Sequence, residues 1–412
     1  MTHRKHASRP RVATIALIAA GIAAFAAPLA AEAARPEGRV KVMTRNLYLG
    51  ADLTPALEAE NQFELAFAAQ QIWNNVHTTE FPNRAKLLAK EIRDAKPDLV
   101  GLQEVALWRG DFDDPSQDGP VTPAETVEFD FLELLMDRLN QRKKGPKYRV
   151  VRQQREIDIE APLSGTDPGD GRLTMRDVVL ERRTSRVKTM FDYSQRFQKE
   201  NSLVIENIGG VPGFNVTVWR GFVAMDANVH GTELRFVNTH LEAFDNDAKL
   251  AQAEELVAGL PSEIGPANPA GTDSPVVLVG DLNSDDEIVE TLGDTPQHQA
   301  DELPYAAIVA AGLEERSYDG LNTDGLDDQF SCCFSAELID APPPGALDDI
   351  DHTVDHVMVS DDDHGEGSDP NGNDVELVRS FATGDDPARF ARFNRWASDH
   401  LGVVSVLQFP TP

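Results

Sequence analysis

Cysteine is nearly absent from the 412 residues: only Cys332 and Cys333 occur, side by side. Neighbouring cysteines close no loop, and two cannot staple a disulfide scaffold, so the fold must rest on an apolar core. The ligand spacings of a cysteine-based structural zinc site are missing as well. Basic residues are scarce, 38 Lys and Arg against 69 Asp and Glu, for a formal net charge of −31. That balance excludes a protein that coats nucleic acid or anionic membrane by bulk electrostatics. Any phosphate chemistry must be local or assisted by a cation. Aromatic residues make up 7% of the chain, with four Trp, and show no exposed-hairpin cluster of the kind that enters lipid. What is plentiful is ordinary core material: 41% hydrophobic and 26% charged residues suit a packed globular protein and exclude wholesale disorder.

Long apolar runs are absent but for one. Val12–Ala31 follows Arg4, Lys5, Arg9 and Arg11 and ends in Ala31-Glu32-Ala33, the small-x-small pattern of a cleavage site. Its length could just span a bilayer, but its low Leu and Phe content, Pro28 and the cleavage triplet favour a removed signal peptide over an anchor. Residues 1–33 are therefore expected to be a signal peptide, leaving a secreted, soluble chain at 34–412 with no stable membrane anchor. The segment carries four bases and one acid, so its removal takes the net charge from −31 to −34.

Along the rest of the chain, Val40–Asn46 reads as a strand and residues 54–75 as helical. Pro82, Ala85, Leu88 and Ile92 recur at helical spacing and stop before Pro97; Leu99–Leu102 is the next strand, ending in Gln103-Glu104. Residues 110–123 read as an Asp/Pro/Gly loop and Val127–Leu139 as a helix. Val223–Val229 and Leu234–Asn238 look like paired strands, Ala248–Leu260 and Tyr305–Ala311 like helices, and Val276–Val279, Val354–Val359 and Val403–Leu407 like buried strands. Residues 142–188 stand apart, with 13 Lys and Arg and seven Asp and Glu in an otherwise acidic chain. Asp361–Asp374 is an acidic loop whose Asp/Asn spacing does not complete a Ca²⁺-binding EF-hand loop. Alternating strands and helices predict an α/β layered protein in one domain, with insertions near 51–80, 106–125, 156–200 and 361–374.

Six polar strings fall at or beside strand ends: Arg45-Asn46, Gln103-Glu104, Asn238-Thr239-His240, Gly280-Asp281-Leu282-Asn283, Asp355-His356 and Ser398-Asp399-His400. Each alone has a bland explanation as a turn, a cap or a hydrogen-bonded core residue. Together they supply carboxylates (Glu104, Asp281, Asp355, Asp399), amides (Asn46, Asn283) and imidazoles (His240, His400). Carboxylates, carbonyls and water suit a hard divalent ion. A His beside a carboxylate suits proton transfer from water, and amides with a second His suit the oxygens of a phosphate. Hydrolysis of a phosphate ester needs those three functions.

At these residues the sequence resembles the endonuclease/exonuclease/phosphatase superfamily. The strings Met43-Thr44-Arg45-Asn46, Leu102-Gln103-Glu104-Val105, Asn238-Thr239-His240-Leu241, Gly280-Asp281-Leu282-Asn283, Val354-Asp355-His356-Val357 and Ser398-Asp399-His400 occur in that family's order, from about Val40 to Leu407. The resemblance implies a four-layered α/β/β/α sandwich of two packed, mostly antiparallel sheets flanked by helices. It implies Mg²⁺, with Mn²⁺ as a substitute, held by Glu104 with Asn46 and Asp399. It further implies that Asp281 orients or deprotonates the attacking water, that Asn283 holds the scissile phosphate, that His400 acts with Asp355, and that His240 binds a phosphate oxygen. Arg220 stands where relatives place a phosphate-contacting Arg. Tyr148 and Tyr193 are the candidates for a hydroxyl donor that some relatives use, while His356 and the two cysteines are read as structural. Whether His400 or Asp281 takes the proton is open in the sequence.

The expected partner is a phosphodiester, with nucleic acid first and residues 142–188 along its backbone; the bland alternative for that segment is that its charges meet acidic neighbours. A sphingomyelinase-like lipid phosphodiesterase is the runner-up, and a non-catalytic binding protein that keeps the fold is the third reading. An inositol-phosphate phosphatase is disfavoured, because Val354-Asp355-His356 lacks the Trp-Cys-Asp-Arg type of string. No protein partner is implied.

Overall fold

Two strand-helix-strand units, each with its two strands parallel, set the position of everything else. In the first, β1 (Arg39–Asn46) is followed by α1 (Thr54–Leu57), α2 (Gln62–Thr78) and α3 (Phe81–Ala95), and the chain returns as β2 (Leu99–Gln103) beside β1. In the second, β11 (Thr232–His240) leads through α5 (Asn246–Gly259) to β12 (Val276–Asp281). The structure is a computed structural model that describes residues 37–112, 123–143, 145–164, 169–184, 186–205, 214–259, 274–284, 296–317, 331–340, 350, 352–360, 375–386, 390 and 392–410. The expected signal peptide and the acidic stretch Asp361–Asp374 lie outside these residues. Among the described residues, no helix is long and apolar enough to cross a membrane.

The remaining elements extend these two units into two sheets. They are β3 (Leu107–Asp111), β4 (Thr126–Asp130), α4 (Phe131–Asn140), β5 (Tyr148–Leu163), β6 (Gly169–Arg182), β7 (Val187–Arg196), β8 (Asn201–Ile205), β9 (Phe214–Val218), β10 (Gly221–Val229), α6 (Pro296–Ala310), β13 (Leu313–Glu315), β14 (Asp355–Ser360), β15 (Glu376–Thr383) and β16 (Gly402–Gln408). The first sheet runs β15-β16-β1-β2-β6-β3-β4, with β5 also on β6; the second runs β13-β14-β12-β11-β10-β7. Apart from the two parallel pairs, the pairings within both sheets are antiparallel. The β8–β9 hairpin stands separately.

Strand alternation divides the core into three apolar layers. Val40, Val42, Leu99 and Val403 from the first sheet meet Val223, Met225, Phe236, Val277, Val279 and Val357 from the second. The opposite faces carry the other residues of the same strands. Met43, Val100 and Leu102 pack on Val76, Leu88, Ile92 and Leu135 of the α2–α4 side. Phe222, Val237, Leu278 and Met358 pack on Leu256 and Ile308 of the α5–α6 side. Helix, sheet, sheet and helix are the four layers expected from the sequence.

The sheets approach closely at Gly101, where an added Cβ would sit 2.3 Å from Asn238 Oδ1. Beside it Gln103 Nε2 donates to Asn238 Oδ1 (2.6 Å), Asn238 Nδ2 donates to Leu102 O (3.1 Å), and Thr44 Oγ1 contacts Gln103 Oε1 (3.3 Å). The first members of two polar strings thus bolt the sheets together.

Local differences from the sequence reading have clear causes. The helix expected from Val127 begins at Phe131, because Asp130 caps it by accepting from the Leu132 and Glu133 N–H groups, while residues 126–130 pair with β3. Residues 142–188 lie mostly in the long β5–β6 ladder and the start of β7, where Arg149 meets Glu181, Arg152 meets Asp192, Arg172 meets Asp158 and Arg182 meets Asp98. The basic stretch finds its counter-charges across the strands.

Candidate active site

The carboxyl ends of β1, β2, β11 and β12 converge at one edge of the sandwich, and each delivers a polar side chain there: Asn46, Glu104 just past β2, His240 and Asp281. In the second sheet His240 pairs with Asp281 and Asp281 with Asp355, so three functional side chains form one row across neighbouring strands. Carboxyl strand ends collect sites in open sheets because neighbouring strands release their chains into loops at the same level.

Asn46 Nδ2 donates to Asp281 Oδ2 (2.9 Å) and lies 3.4 Å from His400 Nε2, joining the two sheets at the centre of the site. Asp281 Oδ1 accepts from the Asn283 N–H (3.0 Å). His400 Nδ1 is 2.7 Å from Asp355 Oδ2, so that nitrogen carries the proton, and Nε2 faces Asp281 Oδ2 at 3.7 Å. Burial disfavours a charged His400, but the carboxylates of Asp355, Asp399 and Asp281 outweigh it and raise its pKa well above the usual value.

His240 is the opposite case. Arg220 Nη1 lies 3.0 Å from its Nδ1, and since a guanidinium only donates, Nδ1 accepts and Nε2 bears the hydrogen. Burial first, then the neighbouring Arg220 charge, push its pKa well below the usual value. His240 is a fixed neutral donor whose Nε2 lies 3.5 Å from Asp281 Oδ2.

Glu104 Oε2 accepts the Leu49 N–H at 2.7 Å. Burial raises the pKa of Glu104, of Asp281 and of Asp399, the last to about 6, with His400 lowering all three and neighbouring carboxylates adding to the rise. Behind them, burial likewise raises Asp177 well above the usual carboxylate range. Buried acids in mutual repulsion are what a divalent cation relieves, and the oxygen donors of Glu104, Asp399 and Asn46 fit a hard one. Among the described residues, Asp281, Asp355 and His400 bring ligand atoms within 4.8 Å of one another, as do Cys332, Cys333 and His400, and Asp399 Oδ1 lies 3.9 Å from His400 Nε2.

The backbone is strained at the same place. Tyr48, Glu104 and Asn283 have φ of 56°, 53° and 48°, a region costing non-glycine residues about 1–2 kcal/mol each.

All the residues expected at the site meet here, with two changes of emphasis. Arg220 is buried behind His240, with Glu242 Oε2 3.5 Å from its Nε, so it sets the imidazole rather than facing outward. The Asn283 amide donates to Leu241 O (3.0 Å). Of the tyrosine candidates, Tyr148 donates to Pro97 O beneath α3, and Tyr193 bonds Gln195. His356 bridges Glu315 (2.7 Å) and Ser284 O (2.9 Å) and has a structural place.

Two buried arginines hold the site loops: Arg84, which the sequence reading did not single out, and Arg45, which it named only as part of a polar string. Arg84 of α3 donates to Leu47 O, Tyr48 O, Thr79 O and Ala397 O at 2.7–3.1 Å. Arg45 donates to His400 O and pairs with Glu91 at 3.1 Å. Arg84 sits with Glu91 on a helix face that is otherwise apolar, and charges in that position are the signal that could have marked both.

No family model and no curated protein matches the chain. Solved structures similar to it include a mannosyl-6-phosphatase from Bacteroides thetaiotaomicron VPI-5482, 18% identical over 90% of this chain and 100% of that one, with a TM-score of 0.48. Another is an endonuclease/exonuclease/phosphatase family protein from Leptotrichia buccalis C-1013-b, 15% identical over 90% and 100% of the two chains, TM-score 0.46. A third is truncated TDP2 of Caenorhabditis elegans, 16% identical over 90% and 98%, TM-score 0.43.

Proposed function

We propose that the protein is an exported, divalent-metal-dependent phosphodiesterase of the endonuclease/exonuclease/phosphatase type, acting on nucleic acid. One observation carries the reading: Asn46, Asp281, Asp355 and His400, drawn from both sheets and from the two ends of the chain, meet within hydrogen-bonding reach. Around them stand a neutral donor, His240, and the acids Glu104 and Asp399.

Asn46, Glu104 and Asp399 would hold Mg²⁺ or Mn²⁺. When bound, the ion supplies charge neutralisation among the acids, polarisation of the P–O bond and a lowered water pKa. The protein's own groups do the rest. Asp281, kept basic by burial and positioned by the Asn46 amide and the Asn283 N–H, takes the proton of the attacking water. His400, charged and fixed by Asp355, faces the developing negative charge. The His240 Nε2–H donates to a phosphate oxygen, its tautomer set by Arg220.

Arg196 supports nucleic acid as the substrate. Gly221 of β10 pairs with His240 on one side and with Arg196 on the other, so Arg196 stands in the same row, about 10 Å from His240 at usual strand spacing. Its guanidinium lies 5.2 Å over the Trp219 ring and its Nε donates to Arg155 O. A guanidinium on an aromatic beside a phosphate site offers both backbone and base contacts. The β5–β6 arginines contribute less, since acids pair with them.

A lipid phosphodiester is the second reading, favoured by an apolar cavity lined by Leu53, Leu57, Leu65, Ile72, Trp73 and Trp108. Trp108 Nε1 donates to Leu49 O (2.8 Å), and the Leu49 N–H bonds Glu104, so the cavity adjoins the acid end of the site. A substrate panel with Mg²⁺ decides: plasmid DNA, single-stranded DNA, RNA, sphingomyelin vesicles and bis-(p-nitrophenyl) phosphate, with Asp281→Ala as the blank. Nicking or degradation lost in the blank supports the nuclease; sphingomyelin turnover without it moves the proposal to lipid; activity surviving in the blank removes both.

A further inference from the structure

The cysteines that looked isolated in sequence lie against the site. Residues 331–334 are wedged between the segments that carry Asp355 and His400: the Ser331 hydroxyl oxygen accepts from the Val354 and Asp355 N–H groups (3.1 Å each), the Leu401 N–H donates to Ser331 O (2.7 Å), and the Phe334 N–H donates to Asp399 O (2.8 Å). Cys332 also forms backbone bridges with His352 and His400. The clamp puts Cys332 Sγ 3.6 Å from His400 Nε2, with the Cys333 sulfur bonded to it as a vicinal disulfide. Cys332 is buried and Cys333 is exposed at the rim. The ligand atoms of Cys332, Cys333 and His400 all lie within 4.8 Å of one another.

From this arrangement we infer that the reduced Cys332–Cys333 pair and His400 Nε2 form a binding site for a soft divalent cation, such as Zn²⁺, whose occupancy shuts the proposed active site. Tetrahedral zinc with bonds of about 2.3 Å to sulfur and about 2.05 Å to nitrogen separates those two atoms by about 3.6 Å, the spacing already present between Cys332 and His400. Reduction lets the second sulfur move off the first to complete a Cys₂His set, and Asp281 Oδ2, 3.7 Å from the same nitrogen, or water takes the fourth place. The sequence hid the site because its third ligand comes 67 positions after Cys333.

Thiolate donors separate this site chemically from the oxygen site of Glu104, Asp399 and Asn46, which suits Mg²⁺. A dithiol reductant gives two electrons and two protons to the Cys332–Cys333 bond and becomes a disulfide itself. The cation then displaces the two thiol protons, and any proton on His400 Nε2, as its bonds to sulfur and nitrogen form. Because His400 Nε2 is the face turned toward Asp281, its ligation removes that imidazole from the reaction.

Inhibition rests on the active-site reading, while binding is tested without it. The full-length mature protein, reduced and freed of excess reductant, is titrated with Co²⁺ as a spectroscopic stand-in and then with Zn²⁺. The expected result is one Co²⁺ per chain with a thiolate-to-metal charge-transfer band, erased by Zn²⁺, absent from the oxidised protein and much weakened in Cys333→Ser, whose exposed position leaves the fold intact. In hydrolysis assays with Mg²⁺, Zn²⁺ at ten times its binding constant then slows the reduced wild type about tenfold and spares Cys333→Ser. Absence of the band from protein shown to have both thiols free overturns the site. A band of equal strength in Cys333→Ser does the same. A band with undiminished hydrolysis overturns the inhibitory role, and a band in a protein that hydrolyses nothing leaves the site standing while the proposed function falls.

Discussion

Replacing Asp355 by Asn keeps the shape of the His400 contact and removes its charge. Asp355 Oδ2 lies 2.7 Å from His400 Nδ1, with both side chains buried. At that distance and an effective dielectric near 20, the Coulomb energy is about 6 kcal/mol, an upper limit because burial opposes charging the imidazole. An opposite charge this close typically moves a pKa by about 1–3 units, or about 1.4–4 kcal/mol. If charged His400 is the active form, hydrolysis falls as pH rises through its raised pKa. Asp355→Asn should therefore move the alkaline limb of the kcat profile down by about 1–3 pH units. The assay is bis-(p-nitrophenyl) phosphate hydrolysis against pH at saturating Mg²⁺, with thermal melting to show that the variant is folded. An alkaline limb that stays where it was, in a folded variant, refutes the assignment.

Three further outcomes follow from other contacts. His240→Gln should lower kcat by about 10²–10³ equally from about pH 6 to about pH 8, since the ring is a neutral donor throughout; a loss that grows toward acid pH contradicts this in the same pH-rate assay. Arg84→Met leaves four buried carbonyls without their donor and should cost about 3–5 kcal/mol in urea unfolding, with activity falling as the Tyr48 and Asp399 loops loosen; a loss below about 1 kcal/mol opposes the clamp. His356, whose pKa burial lowers but Glu315 raises to a net of about 9, adds stability that is full below about pH 6.5 and disappears as pH rises through 9. Urea stability should thus fall by up to about 3 kcal/mol across that window, and His356→Asn should flatten the fall; equal slopes in both proteins reject the pair.

Much of this was legible in the sequence. Val40–Asn46, Leu99–Leu102, Leu234–Asn238 and Val276–Val279 are apolar runs that end in polar strings, and those endings meet at the candidate site. Within the strings, however, Gln103 and Asn238 join the sheets, a division of labour that depends on cross-sheet register. For the basic stretch 142–188, the reading in which its charges meet acidic neighbours holds, but the partners Asp98 and Asp192 lie outside the stretch and could not be assigned from sequence. Arg84 was not singled out, and Arg45 was given no role of its own, because a buried arginine bonded to carbonyls looks the same in sequence as one facing water. Cys332 reads as merely structural in the sequence because its neighbour His400 is distant along the chain.

The most direct test of the account is the Mg²⁺ dependence of bis-(p-nitrophenyl) phosphate hydrolysis by metal-stripped wild type and Glu104→Gln. The account predicts no turnover without metal, saturable recovery in the wild type with Mg²⁺ or Mn²⁺, and a requirement raised about tenfold or more in Glu104→Gln. Full turnover in chelator, with metal verified absent, would contradict it.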